Sequence, residues 1–408
     1  MKGPLEGIVV LDMSRVLAGP WSGQLLADLG ARVIKIEHPE RGDDTRSWGP
    51  PWLGEGEDDA VASSDPDRLA AYYLCANRGK QSLGVDIATP EGQQLIQRLA
   101  AGADIMLENF KVGGLARYGL DAETLRAENP ALVVCSITGF GQDGPWSHRP
   151  GYDFMVQALG GLMSLTGEPD GMPMKTGVAI TDVMTGLYAT VGVLGALHER
   201  AQTGQGRHVD VALMDVQLAT LANQALNALV SGENPQRLGN AHPNIVPYEA
   251  FACADGYLVL TVGNDAQFSR LAALLGHPEW AEDPAFITNA ARVGNRDSLV
   301  SHINSVLKTR DRDEWLAEFE ARGIPAGPIN GVSEAFANPQ AQHRQMHCTL
   351  KNGTREIPQV ANPLRFDGVS ATSTVAPPTL GQDSDRVLAS MGVSEEDIAR
   401  LRSEGIIR

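Results

Sequence analysis

Cysteine is scarce in this 408-residue chain. There are four, Cys75, Cys135, Cys253 and Cys348, far apart in sequence. They form no Cys-x-x-Cys pair and no zinc spacing, so free thiols in a reducing compartment are expected. Cations are in the minority as well. Lys and Arg number 33 against 50 Asp and Glu, a formal net charge of -17, which leaves no basic stripe for nucleic acid and no polybasic patch for a membrane surface. GxGxxG, the P-loop, HExxH and GxSxG are all absent, and the nine histidines are scattered. Dinucleotide binding, zinc chemistry and serine hydrolysis therefore lack support, and neither a metal nor a permanently bound cofactor is expected. No apolar run approaches the ~18 residues of a membrane span, and Met1 to Leu5 lead into a strand pattern with no signal peptide. A cytoplasmic protein without a nucleic-acid or membrane partner is expected.

What is present reads as an α/β protein. Short apolar runs at Gly7–Asp12, Ala31–Glu37, Lys80–Asp86, Asp104–Phe110 and Leu132–Thr138 alternate with helix patterns. Thr89-Pro90-Glu91 is a strong helix start, with a cap followed by proline at the first helical position. Such alternation predicts a mostly parallel sheet covered on both faces. From His38 to about Asp67 the chain is polar and irregular. Later the spacing predicts helices over Tyr152–Leu165, Asp182–Arg200 and Asp215–Val230. The Gly-, Asn- and Pro-rich stretch 231–247 reads as a linker, and 248–334 as a small α+β domain with a hairpin turn at Asp255-Gly256. The last sixty residues read as loops and short strands, ending in a helix capped by Ser394.

The segment Gly177 to Gly186 (GVAITDVMTG) carries the most chemical information. Thr181 or Asp182 is a natural N-cap for the helix that follows. A carboxylate there feels the positive end of the helix dipole, which favours the ionised form, and an ionised, held carboxylate is a usable nucleophile toward an activated acyl group. From these residues alone, a purely capping Asp182 remains the competing reading.

Several blocks together resemble the class III CoA-transferase family, which includes formyl-CoA and carnitine CoA-transferases. They are Gly7–Asp12, Ala18-Gly19-Pro20, Leu29–Glu37, Asn77-Arg78-Gly79-Lys80, Glu108-Asn109-Phe110, Ser136–Gly141, Gly151-Tyr152-Asp153 and Thr181-Asp182. Their shared order and spacing make the likeness specific across nearly the whole chain. It implies a Rossmann-like large domain built from both chain ends (1–230 and 335–408), a smaller domain between, and two subunits interlocked as a homodimer. It also implies acyl-CoA and a small carboxylic acid as substrates, with Asp182 as the nucleophile that carries first the acyl group and then CoA.

For the coenzyme's phosphates the resemblance points to Arg78, Lys80, Lys111 and Arg117. It places Val16 and Leu17 against the pantetheine or adenine, and Asn109, Phe110 and Phe140 along the path. His38 stands where some relatives carry arginine. Within the family, Gly42–Pro51, Ile245–Tyr248 and Gly327–Asn330 are similar to the succinyl-CoA–glutarate type, and Arg46 is the candidate cation for a distal carboxylate. The family's racemases place histidine where this chain has Tyr152, and tyrosine is a poor base at neutral pH. A 2-methylacyl-CoA racemase and a non-catalytic CoA-binding protein are the alternatives.

Overall fold

The computed structural model describes residues 3–54 and 68–408. The latter part of the irregular stretch expected up to residue 67 thus lies outside the described residues. Six strands, β1 (Val9–Asp12), β2 (Arg32–Glu37), β3 (Lys80–Gly84), β4 (Ile105–Glu108), β5 (Val133–Thr138) and β6 (His208–Ala212), form one sheet in the order β3-β2-β1-β4-β5-β6. Every pairing in it is parallel. The order reverses direction between β1 and β4. In open α/β sheets that switch point opens a crevice at the carboxyl ends of the strands.

Because successive side chains point to opposite faces, each strand feeds two cores. Val10, Val33, Ile105 and Val133 pack with Leu26 of the Ala18–Asp28 helix and with Ala189, Val193 and Ala196 of the Ile180–Thr203 helix. Their neighbours Leu11, Ile34, Met106 and Val134 pack with Ile96 of the Pro90–Ala101 helix and with Val387, Leu388, Ile398 and Leu401. Those last four lie in the helices Ser384–Ser390 and Glu395–Ser403. At roughly 1.5–3 kcal/mol per buried aliphatic side chain, they contribute a gross burial comparable to a domain's entire net stability. The C-terminal tail is therefore part of the sheet's covering. The Ser384–Ser390 helix was not expected from sequence, being only two turns long.

Three further expectations are corrected. Tyr152–Leu165 is not one helix but two, Asp153–Leu159 and Leu162–Leu165. They break at Gly160-Gly161, where Gly161 has φ +87° and a Cβ on Gly160 would lie 2.4 Å from Gln217 Cγ. The Asp215–Val230 pattern likewise divides into Leu213–Thr220 and Ala222–Ser231. Finally, the Ile180–Thr203 helix does meet the length and hydropathy of a membrane span. Thr181, Asp182, Thr185 and Thr190 interrupt its apolar residues, which hid it as a run. Its buried side packs on the sheet, and a core helix passes the same test.

The chain folds into two compact units. The first comprises Met1–Leu162, Thr176–Leu226 and Pro339–Arg408, and the second Met163–Lys175 and Asn227–Asn338. The second unit holds an antiparallel sheet of β7 (Tyr248–Ala252), β8 (Tyr257–Thr261) and β9 (Ala326–Pro328). Phe251, Leu260, Phe268, Trp315 and Phe319 are among its buried core. The hairpin expected at Asp255-Gly256 joins β7 to β8.

Candidate active site

Two adjoining cavities line the carboxyl edge of the parallel sheet. The first, about 190 Å³, is bounded by the turn after β1 (Arg15, Val16, Leu17), the loop after β4 (Asn109, Phe110, Lys111), the loop after β5 (Gly139, Arg149, Tyr152) and Asp182. The second, about 350 Å³, takes in His38, Arg41, Asp43, Asp86 and Tyr118. Arg15, Asp44 and Phe110 line both. Sharing these residues, the two cavities run along the crevice at the switch point, from the ends of β2 and β3 to the start of the Ile180–Thr203 helix.

The turn after β1 is strained. Val16 has φ +72°, a conformation that is an outlier for a β-branched residue and persists only where its surroundings over-determine it. Asn109 Oδ1 accepts the Arg15 N–H at 2.9 Å, while Asn109 Nδ2 donates to the Arg15 carbonyl at 2.7 Å. Asp43 Oδ1 accepts the Val16 N–H at 3.3 Å. Asn109 therefore shapes the groove by clamping its floor.

Three of the expected ligand cations are occupied elsewhere. Lys80 Nζ donates to Asp12 Oδ2, the Pro20 carbonyl and Asn77 Oδ1 at 2.8, 2.8 and 3.0 Å. Both Lys80 and Asp12 side chains are fully buried. Arg78 is forked onto Asp28, with its other nitrogen on the Val360 carbonyl. Arg46 is forked onto Glu37 at 2.7 Å through both Nε and Nη2, and Nη2 also donates to Tyr73 Oη at 2.6 Å. Arg46, the candidate cation for a distal carboxylate, thus has its guanidinium engaged by Glu37 and Tyr73. The reason is adjacency, since β3, β2 and β1 lie side by side and their terminal charges meet below the groove. Burial alone would raise Asp12, but the Lys80 and Lys35 ammoniums outweigh it and hold its carboxyl below the usual range. Burial, opposed by Asp12, leaves Lys80 lowered to about 8.

The other candidates lie on or beside the groove. Val16, Leu17, Asn109, Phe110 and Lys111 line the first cavity, and His38 and Phe110 the second. Lys111 is exposed and has no ion pair among the described residues. Arg117 lies over the ring of Tyr118, 4.5 Å from its centroid, at the rim of the second cavity. Phe140 does not line either cavity; it packs edge-on against Trp146 at 5.4 Å, behind the loop that does.

Asp182 is the third residue of its helix, and neither it nor Thr181 is the cap. The cap position is Ala179, whose methyl group can make no capping hydrogen bond. The helix start is held instead from outside. Asp153 Oδ1 accepts the N–H of Thr181 at 2.9 Å and of Asp182 at 3.3 Å, while Gln157 Nε2 donates to Asp153 Oδ2 at 2.7 Å. The Asp182 carboxylate is left without a hydrogen-bond partner among the described residues and faces the cavity. Only 8% of the residue is exposed. Burial, followed by the charge of Asp153, pushes its carboxyl up to about 7. The expectation that the helix dipole favours the ionised form meets two opposing influences, desolvation first and the Asp153 charge second, and both favour the protonated form. Gly139 and Gly151 make the close crossing of the loops beside it possible. A Cβ on Gly139 would lie 2.5 Å from Gly151 Cα.

Residues that pattern reading did not single out include Arg15, Arg149 and Tyr72. Tyr72 packs edge-on against Trp48 at 5.1 Å. Burial, then the charges of Asp182, Cys75 and Asp153, push its phenol up to about 12, which puts it within electrostatic reach of the nucleophile candidate. Arg15 and Arg149 lie in loops and Tyr72 in the one-turn helix Ala71–Leu74, segments too short or irregular to carry a periodic signal.

The chain that forms this groove, with one unpartnered carboxylate at its inner end, belongs to CoA-transferase family III, whose sequence pattern matches residues 5–384. It is an enzyme of that class. The chain is 49% identical over 397 residues to a succinate–glutarate CoA-transferase of Agrobacterium fabrum, covering 97% of both chains. It is 39% identical over 406 residues to the human succinyl-CoA:glutarate CoA-transferase, covering 99% of this chain and 90% of the relative. Among solved structures it resembles a CAIB/BAIF family protein from Brucella suis, with 48% identity, TM-score 0.83 and coverage of 96% of this chain and 100% of that one.

Proposed function

We propose that the enzyme moves CoA from succinyl-CoA or a similar donor to a small dicarboxylic acid, with Asp182 as the covalent carrier. The observation that carries this reading is the Asp182 carboxylate itself: buried, unpartnered and facing the cavity. The Asp182 carboxylate attacks the thioester carbonyl; the C–S bond breaks and CoA thiolate leaves, forming a mixed anhydride. The thiolate attacks the Asp182 acyl carbon and releases the donor acid, leaving an aspartyl-CoA thioester. The acceptor carboxylate then repeats the two displacements in reverse and regenerates the Asp182 carboxylate. Each step exchanges one acyl bond for another, so no ATP is required.

The coenzyme lies along the groove, with phosphates near Lys111, Arg117, Arg41 and His38, and with Val16, Leu17 and Phe110 against its apolar arm. A family of dicarboxylate relatives supports the substrate class. The test is incubation of enzyme with succinyl-CoA and a panel of acids, read by mass spectrometry. New dicarboxyl-CoA species are expected. Racemisation of a 2-methylacyl-CoA without CoA exchange would favour the alternative chemistry instead.

The pH dependence follows from the nucleophile. Only the ionised Asp182 attacks, so kcat/KM is expected to rise as pH increases through about 7. Asp153→Asn keeps an oxygen for the Thr181 and Asp182 N–H groups but removes a charge that raises Asp182. Its acid limb should shift to lower pH, toward the ordinary carboxylate range. An unmoved limb would show that another group sets it.

We also propose that the chain works as a homodimer. The outer face of the Ile180–Thr203 helix leaves Leu187, Tyr188 and Val191 exposed at i, i+1 and i+4, with Val191 67% accessible, an apolar stripe suited to a second copy. Sedimentation velocity should give a dimer, and Val191→Asp should weaken it; a wild-type monomer at micromolar concentration would refute the proposal.

A further inference from the structure

We propose that Arg149, seated on the paired rings of Phe140 and Trp146, binds the distal carboxylate of the acid substrate. This deepens the reading of Asp182 as the carrier and rests on it.

Arg15, Lys111 and Arg149 are the three Lys or Arg side chains on the first cavity. Arg15 is paired with Asp44 at 3.3 Å and faces the second cavity as well. Lys111, like Arg149, lines only the first cavity, directly after Phe110, which borders both, and is the residue we assign to the coenzyme's phosphates. Arg149 lines the first cavity alone and has no carboxylate partner among the described residues. Its guanidinium carbon lies 4.6 Å from the Trp146 ring centroid and 5.8 Å from that of Phe140. The two rings meet at 87°.

That seat has a chemical consequence. A guanidinium stacked on aromatic faces keeps its edge free, and its fork matches a carboxylate with two parallel hydrogen bonds. Stacking also limits the side chain's freedom before the ligand arrives, so less entropy is lost on binding. The position along the chain fits the acyl end of the groove. Arg149 is four residues before Asp153, whose Oδ1 holds the Thr181 and Asp182 N–H groups. Four residues span at most about 14 Å. An extended arginine side chain plus a four- or five-carbon diacid can bridge a gap of that size. Arg46, the cation that sequence reading assigned to this role, is saturated by Glu37 and Tyr73, so the role falls to a different loop.

The experiment compares wild type, Arg149→Gln and Arg149→Lys with succinyl-CoA as donor and glutarate or pentanoate as acceptor. For glutarate, kcat/KM is expected to fall about 100-fold or more in Arg149→Gln, with partial recovery in Arg149→Lys. For pentanoate it should stay within about three-fold, because that acid has no second carboxylate. A raised KM for succinyl-CoA is expected in Arg149→Gln, because the donor also carries a distal carboxylate; an equal fall in kcat/KM for both acceptor acids would instead place Arg149 on the coenzyme phosphates and overturn the proposal. So would unchanged discrimination between the two acids. Should wild type transfer CoA to no acid, the carrier reading fails by itself. Calorimetric titration with glutarate then decides Arg149 separately: affinity at least ten-fold weaker in Arg149→Gln supports the contact, and equal affinity removes it.

Discussion

Asp182→Asn is expected to lower CoA transfer by a factor on the order of 10³ or more, while leaving acyl-CoA binding intact and the protein more stable at pH 8. The loss of rate follows from removing the atom that forms the anhydride. The gain in stability follows from linkage. The Asp182 carboxyl has its pKa raised from 3.8 to about 7 by burial and by Asp153. A raised acid binds its proton more tightly folded than unfolded, so its contribution to stability falls as pH climbs from about 4 to 7. Above pH 7 the wild type carries a buried charge that the unfolded chain solvates freely. Three pH units correspond to about 4 kcal/mol, and allowing for relaxation around the site a difference of about 2–4 kcal/mol is expected. Urea unfolding at pH 8 measures it, and the difference should shrink as pH is lowered. A variant no more stable than wild type at pH 8, yet inactive, would mean that Asp182 is not held in a desolvated pocket.

Lys80→Met is expected to cost about 3–5 kcal/mol of stability, because it leaves Asp12 buried without its counter-charge, and to leave the KM for acyl-CoA near the wild-type value. Lys80 had been a phosphate candidate by resemblance, so the two roles predict opposite outcomes. The structure gives Lys80 three protein partners and no access to the groove. Room for the pair is made by Gly23, where a Cβ would lie 2.6 Å from Asp12 Oδ2. Adding Asp12→Asn to the variant should restore part of the lost stability, since it removes the uncompensated charge. Wild-type stability with a several-fold higher KM would return Lys80 to the ligand.

Much of the frame was legible in sequence. The five apolar runs predicted before residue 140 are β1 to β5, and Thr89-Pro90 starts its helix as expected, with Thr89 Oγ1 accepting the Gly92 N–H at 3.1 Å. Asp182, the residue on which the proposed chemistry rests, stood out at the head of a helix beside a glycine loop, but the pattern alone left a purely capping role open and only the family resemblance made it the nucleophile candidate. Its environment was not legible in sequence. The local pattern offered Thr181 and Asp182 as caps, whereas the capping oxygen comes from Asp153, 28 residues before Thr181. The helix dipole suggested a low pKa, whereas burial and a second carboxylate raise it.

The cations show the same division. Composition shows that Arg46, Arg78 and Lys80 are charged, and resemblance places them in motifs, but neither shows which carboxylates lie within 3 Å. That depends on strand order: β3 beside β2 beside β1 brings Lys80 to Asp12, and the turn after β2 brings Arg46 back onto Glu37. By itself, the sequence determined the strands and most of the helices, because these depend on periodicity and hydrogen bonds a few residues apart, and it singled out Asp182 as a candidate only through family resemblance. The tertiary structure alone decided which charges are consumed beneath the groove and which face it, because pairing and desolvation depend on neighbours that are distant along the chain.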